Sequence, residues 1–202
     1  PNIFHSEKSL DARSGFKKSV KFNSYVEPFL GSGAVFKYLS PQKKSTLADI
    51  NSELICFYNS LKTEPEELYS ITKEHMKNHS KNYYYTVRSN KYSENIDIAA
   101  RFLYLNRTCF NGIYRVNSKG EFNVPIGDTK NFSFSKKDFI ECSQLLKNCN
   151  IVKQDFTVTI NEAKKGDLIY ADPPYITIDN KSSFNMYSKN QFNWNSQKKL
   201  AD

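Results

Sequence analysis

Residues 167–175 read Asp-Leu-Ile-Tyr-Ala-Asp-Pro-Pro-Tyr: an apolar run that stops on a carboxylate, then two prolines and a tyrosine. The prolines fix φ and remove two backbone donors. Asp172 and the carbonyls of Asp172 and Pro173 therefore form a stiff turn rich in acceptors, closed by Pro174 and the aromatic face of Tyr175. An acceptor-only carboxylate beside carbonyls and a ring suits a planar group bearing an NH2. Alone, the tetrapeptide reads better as an ordinary turn after a strand.

Two other stretches end in the same way. Glu27-Pro28-Phe29-Leu30-Gly31-Ser32-Gly33 puts two glycines just past a short apolar segment, where a backbone can approach a ligand closely. Without Gly-Lys-Ser/Thr it is not a phosphate loop, and without a third glycine it is not the full dinucleotide fingerprint. Alone, it reads better as a tight strand-to-helix turn. Asp49 follows Gly33 by 16 residues and ends a second apolar segment. Its carboxylate can accept from two ribose hydroxyls, or cap the helix that starts at Ile50-Asn51-Ser52.

The elements that must position these residues alternate. A strand over 25–27, a glycine turn and a helix from about Ala34 come first. A second strand ends near Asp49, and Leu54, Ile55, Tyr58 and Leu61 then recur at helical spacing. Helices are expected over 64–77 and 95–106, and a Ser-capped one over 135–148. Residues 114–124 alternate around Asn117-Ser118-Lys119-Gly120, a hairpin pattern. Short strands are expected over 150–154 and 167–171. Strands alternating with helices give an α/β fold with a largely parallel sheet. Ligands in such sheets sit at the carboxyl ends of strands, near the point where strand order switches. The three stretches above all fall at those ends.

Composition bounds the partners. The chain has 202 residues, 39% hydrophobic and 14% aromatic, enough for one packed domain with an insertion. No apolar run approaches the roughly 18–20 residues that cross a bilayer, and the first residues lack a secretory pattern. Cys56, Cys109, Cys142 and Cys149 show no Cys-x-x-Cys spacing, so reduced thiols in a cytoplasmic protein are expected. His75 and His79 lie four apart, but no third ligand is near and no metal is expected. The net charge of +8 favours a polyanionic partner, though a basic soluble surface gives the same number.

In order, EPFLGSG, LADIN, LNRTCFNGIYRVNSKGEFNVPIG and ADPPY resemble the Dam-type DNA adenine-N6 methyltransferases, with the cofactor motif first and the catalytic motif last. The likeness spans residues 25–200, and the 23-residue middle segment is its most specific part. It implies a Rossmann-like S-adenosylmethionine-dependent sheet carrying an inserted helical and hairpin DNA-recognition domain. The catalytic part would be 1–60 and 150–202, and the insertion 61–149.

The family's cofactor turn falls on Glu27, Pro28, Phe29, Gly31 and Gly33. Asp49 would hold the ribose hydroxyls and Ile50 would pack on the cofactor's adenine, with Asp155 and Phe156 beside its amino group. Asp172 and the Pro173 carbonyl would accept from N6 of a flipped-out target adenine, with Pro174 stiffening the turn and Tyr175 stacking on the base. Arg115 would read guanine, Ile113 and Pro125 would face bases, and Phe110 with Asn111 would lie at the gap left by the flipped base. Lys119, Lys130, Lys136 and Lys137 would meet phosphates or remain solvated.

The sequence departs from the family at Ile3–Lys8, where Lys-Trp-x-Gly-Gly-Lys is expected. Phe4 and Lys8 keep an aromatic and a lysine, while Ser6 and Glu7 replace glycines. Only 27 residues follow Tyr175, so the family's last strands are expected to be missing. The resemblance implies double-stranded DNA as partner, a GAT-containing site with GATC the leading expectation, and a monomer in the cytoplasm of a bacterial or phage-infected cell. A companion restriction endonuclease is the partner such enzymes can have. The alternatives are a non-catalytic remnant of such an enzyme, or methylation of another NH2 such as cytosine N4 or a glutamine amide.

Overall fold

Tyr25-Val26-Glu27 is buried at every position, as a strand covered on both faces must be. The computed structural model describes residues 21–128, 134–174 and 192–201. In it, four strands form one sheet: β1 (Tyr25–Glu27), β2 (Ser45–Asp49), β3 (Cys149–Lys153) and β4 (Leu168–Ile169). All pairings are parallel and the order is β3-β2-β1-β4. Tyr25 pairs with Ser45 and with Leu168, and Asp49 with Lys153. The chain runs outward from β1 to β3, then returns to add β4 on the free edge of β1. Strand order therefore reverses between β1 and β4, and the loops leaving their carboxyl ends part around a crevice.

Helix α1 (Ala34–Leu39) links β1 to β2, and α7 (Phe156–Asn161) links β3 to β4. Between β2 and β3 come α2 (Ser52–Thr63), α3 (Pro65–Lys77), α4 (Lys81–Ser89), α5 (Asn95–Thr108) and α6 (Lys136–Leu146). Helix α8 (Trp194–Ala201) lies near the chain end. Local chemistry sets the starts. The Asn51 side chain caps α2 by accepting from the amides of Glu53 and Leu54, Pro65 opens α3, and Ser135 and Asp138 form a reciprocal capping box on α6.

The main core joins Tyr25 and Leu47 of the sheet to Leu54, Phe57 and Leu61 of α2, Leu68 of α3, Phe102 of α5 and Phe139 of α6. Each such fully buried Leu or Phe contributes about 1.5–3 kcal/mol, so α2, buried at Leu54, Ile55, Phe57, Tyr58 and Leu61, is the chief anchor of the helical layer. A second cluster joins Tyr84 and Val87 of α4, Tyr104 and Leu105 of α5, and Cys109, Phe122 and Val124. Helix α5 feeds both clusters, which is why Ala99 to Asn106 is buried without interruption.

The expected α/β architecture and its parallel sheet are present. The hairpin over 114–124 exists as a turn closed by an antiparallel bridge, Val116 to Phe122, with a second bridge from Cys109 to Ile126. Two helices were not expected. Helix α4 is capped by Ser80, and α7 runs through the β-branched Thr157, Val158, Thr159 and Ile160, where the Asp155 cap outweighs strand propensity. His75 and His79 hold tyrosines: their Nδ1 atoms lie 2.9 Å from the Tyr83 hydroxyl and 2.8 Å from that of Tyr104. Burial pushes both imidazoles below their ordinary pKa. Among the described residues no group of three potential metal ligands occurs, and no helix is long and apolar enough to cross a membrane.

Candidate active site

The turn after β1 is shaped by its glycines. Gly31 has φ 48° and Gly33 φ 60°, a region that costs other residues roughly 1–2 kcal/mol. They differ in surroundings. A Cβ at Gly33 would lie 2.8 Å from the Tyr58 hydroxyl oxygen, so that glycine serves packing against α2. Among the described residues, a Cβ at Gly31 would meet nothing nearer than the Phe29 carbonyl at 4.0 Å. Gly31 therefore has clearance from the described residues, as a ligand cradle does.

Asp49 closes this turn. Its Oδ2 accepts from the Gly31 amide at 3.0 Å and its Oδ1 from the Asn51 amide at 2.9 Å. A carboxylate has about four acceptor sites, so both oxygens retain capacity for hydroxyl donors. Burial pushes its pKa up, and the amides partly offset this. The helix cap, the alternative reading of Asp49, belongs to Asn51, two residues later: Asp49 instead braces the loop that presents the cap. Ile50, beside it, is apolar yet 50% exposed.

Glu27 ends β1 and is only 2% exposed. The Tyr25 hydroxyl donates to its Oε2 at 2.7 Å. Burial, with the nearby charge of Asp172 as a lesser cause, pushes its pKa up to about 8. Asp172 lies three residues past the end of β4, in a segment held alongside β1 by the Tyr170 amide donating to the Val26 carbonyl at 2.9 Å. Asp172 and Pro174 are exposed and Pro173 is half-buried. The crevice between β1 and β4 thus brings Glu27, Pro28, Gly31 and Asp172 to one edge, with Asp49 next along the sheet.

The loop after β3 reaches the same edge, because the Gln154 amide donates to the Asp49 carbonyl at 3.2 Å. Asp155 caps α7 through Oδ1, which accepts from the amide and hydroxyl of Thr157 at 2.9 and 2.6 Å. Phe29 stacks on Phe156 with ring centroids 5.2 Å apart, and Phe192 sits 5.6 Å from each. Phe192 escaped sequence reasoning because its neighbours carry no periodicity. Tyr25 and Tyr58 escaped it because an apolar-looking tyrosine in a core segment gives no sign of a hydroxyl aimed at a site.

A second surface is built on the segment after α5. Phe110 to Gly112 forms a 3-10 turn with Asn111 at φ 52°. It displays Phe110 at 49% exposure and Ile113 at 46%. The Phe110 amide donates to the Pro125 carbonyl at 2.9 Å, which brings the exposed Pro125 beside this turn. Arg115 Nε donates to Asn123 Oδ1 at 2.8 Å across the hairpin, which fixes the guanidinium while leaving its other nitrogens as donors. Lys119 is exposed at the hairpin tip. Lys136 pairs with Glu66 at 3.0 Å and Lys137 with Glu141 at 3.6 Å, pairs exposed enough to exchange with phosphate at small cost. Phe4, Lys8, Lys130 and Tyr175 lie outside the described residues.

Comparison with known proteins points the same way. Residues 13–202 match the sequence profile of the D12 class N6 adenine-specific DNA methyltransferases. The chain is 42% identical over 192 residues, 90% of its length, to the Type II methyltransferase M1.LlaDCHI of Lactococcus lactis subsp. cremoris, covering 67% of that protein. It is 39% identical over 200 residues to the Type II methyltransferase M.MjaIII of Methanocaldococcus jannaschii, 91% of this chain and 69% of the relative. To a DNA adenine methylase of Vibrio cholerae it is 36% identical over 182 residues, 88% of this chain and 65% of the relative. The chain thus spans about two thirds of the length of these curated relatives.

Proposed function

The chain belongs to the family of D12 class N6 adenine-specific DNA methyltransferases, and on that premise we propose that it transfers a methyl group from S-adenosylmethionine to N6 of an adenine flipped out of duplex DNA. The observation that carries this is the meeting of Asp172 with the glycine turn at the β1–β4 crevice, next to an Asp49 with acceptor sites to spare. The residues fit the methyl donor: the open side of Gly31 gives its backbone clearance, Asp49 would take ribose hydroxyls, and exposed Ile50 would cover an adenine face. Phe29, Phe156 and Asp155 would border that adenine, Pro28 and buried Glu27 would floor the pocket, and Gly33 would keep the turn clear of Tyr58. Phe4 and Lys8 are assigned to the same pocket on the resemblance alone. S-adenosylmethionine, when bound, supplies an electrophilic methyl on a sulfonium.

The protein's own part is positioning. The N6 lone pair of adenine is delocalised into the ring and is a poor nucleophile. Asp172 and the Pro173 carbonyl would accept hydrogen bonds from its two N–H groups and draw the nitrogen toward tetrahedral geometry, freeing the lone pair to take the methyl in line as the S–C bond breaks, with one N6 proton then lost to solvent and no covalent enzyme intermediate. Pro173 and Pro174 hold those acceptors stiff. Tyr175 stacks on the flipped base. Extruding the base leaves a gap, which Phe110 fills with Asn111 beside it. Arg115 reads a guanine by O6 and N7, Ile113 and Pro125 meet neighbouring base edges, and Lys119 positions the duplex through phosphate.

Residues 61–149 serve as the recognition module, and 1–60 with 150–202 as the catalytic one. The protein acts as a monomer in the cytoplasm of a bacterial or phage-infected cell, with a restriction endonuclease as its counterpart. The experiment is transfer of labelled methyl to a panel of unmethylated duplexes varied around GATC. Incorporation confined to GAT-containing duplexes supports the reading. Incorporation independent of sequence removes the role of Arg115, and none on any duplex leaves a non-catalytic remnant.

A further inference from the structure

The cofactor loop and the DNA-reading hairpin are joined by one short polar chain. Asp49 holds the amides of Gly31 and Asn51. The Asn51 side chain caps α2, accepting from the Glu53 amide at 3.1 Å. Glu53 then spends its two oxygens on two different elements. Oε1 accepts from Arg101 of α5 at 3.1 Å, and Oε2 accepts from the Tyr114 hydroxyl at 3.3 Å. That hydroxyl also interacts with the Asn51 side chain. Tyr114 lies between Ile113 and Arg115, and the Arg115 side chain is bonded to Asn123 on the opposite arm.

A second branch reaches the same hairpin. Buried Arg101 donates to the Val87 and Arg88 carbonyls at 3.1 and 2.8 Å. The Arg88 guanidinium and the Tyr84 hydroxyl both donate to the Val124 carbonyl, at 3.1 and 2.9 Å. Val124 precedes Pro125. Glu53 therefore ties both arms of the hairpin to the loop that carries Asp49. A purely structural pin would need only the Arg101 branch; the Tyr114 hydroxyl is an addition, since its ring already packs on Phe102 and Phe122 at 5.5 and 5.6 Å.

We propose that Glu53 and Tyr114 are positioning residues that set the Arg115 hairpin from the cofactor loop, so that occupancy of the Asp49 pocket tightens DNA binding and DNA binding tightens cofactor binding. The inference rests on the methyltransferase reading above. Linkage requires the two enhancements to be equal. Coupling of this kind is typically about 5- to 150-fold.

The test is the affinity for S-adenosylhomocysteine with and without duplex bearing the site mapped by methyl transfer, and the converse titration. It is run on the protein, on Tyr114→Phe and on Glu53→Gln. Tyr114→Phe removes one hydroxyl and keeps the ring, so folding is expected to survive. Glu53→Gln keeps an acceptor for Arg101 without the charge. The expected result is equal, reciprocal enhancement in the parent protein. In Tyr114→Phe the enhancement falls toward 1, while affinity for S-adenosylhomocysteine alone stays within about twofold. Glu53→Gln falls between the two. Combining both substitutions should lose no more than the greater single loss, as members of one chain do. Undiminished coupling in Tyr114→Phe overturns the inference and leaves the reading standing. So does a parent protein that binds both ligands independently. A protein that binds neither ligand overturns the reading and the inference together.

Discussion

At the scale of single residues, two acids at one crevice are given different electrostatic roles by depth. Asp172 is exposed and available as an acceptor, whereas Glu27 is buried with its proton held up to about pH 8. The sign of the consequence follows from linkage. The Glu27 carboxyl has an ordinary value of 4.5 and is raised in the folded protein. Between those values the folded state holds a proton that the unfolded state has released, so this group makes stability fall as pH rises. Its favourable contribution is complete below about pH 4.5 and lost above about pH 8. Glu27→Gln should therefore raise the melting temperature relative to the parent at pH 8–9 and leave it nearly unchanged near pH 4. A denaturation series over pH checks this, and a parallel offset at every pH would deny that Glu27 titrates. On the hairpin, Arg115→Ala should cost about 1–3 kcal/mol of discrimination at one base pair. Its kcat/KM ratio between the mapped site and a single-pair variant measures that loss. Equal loss on both duplexes would reduce Arg115 to a phosphate contact.

At the scale of elements, the turn after β1 separates two glycines by purpose. Gly33→Ala meets both a positive φ and the Tyr58 hydroxyl 2.8 Å away, so it should destabilise by about 2–4 kcal/mol. Gly31→Ala meets the φ penalty alone and should cost about 1–2 kcal/mol, yet weaken methyl-donor binding more than Gly33→Ala does. Chemical denaturation with cofactor titration on both variants checks the crossing order. Much of this element level was legible beforehand. The strands at 25–27 and ending at Asp49, and the helices α2, α3, α5 and α6, follow from apolar spacing and caps that agree with their tertiary setting. Helix α7 was not legible, because its β-branched run is locally strand-like and only the Asp155 cap argues otherwise. Helix α4 hid in Tyr83-Tyr84-Tyr85, where helical and strand patterns are equally served. The cap that was one of two readings of Asp49 falls to Asn51, two residues later, since both Asp and Asn cap well and only geometry shows which oxygen meets the first amides.

At the scale of the whole molecule, the sequence order of motifs was enough to place Glu27, Gly31, Asp49 and Asp172 along one sheet edge. Strand order β3-β2-β1-β4 is what makes them neighbours. The Asn51–Glu53–Tyr114 connection was not legible, because its members are spread over 64 positions and each looks like a routine cap, surface acid or core aromatic. Family membership supplies the reaction class; the division of labour within it is the proposal that this geometry supports. The central claim is that Asp172, at the end of β4, makes an adenine N6 nucleophilic. The most direct measurement is nucleoside analysis of unmethylated duplex DNA after incubation with S-adenosylmethionine and the protein, beside Asp172→Ala. N6-methyladenine formed by the parent, and lost by at least about a hundredfold in a folded variant that still binds S-adenosylhomocysteine, is the predicted result. N6-methyladenine formed undiminished by Asp172→Ala, or methyl found on cytosine, would contradict it.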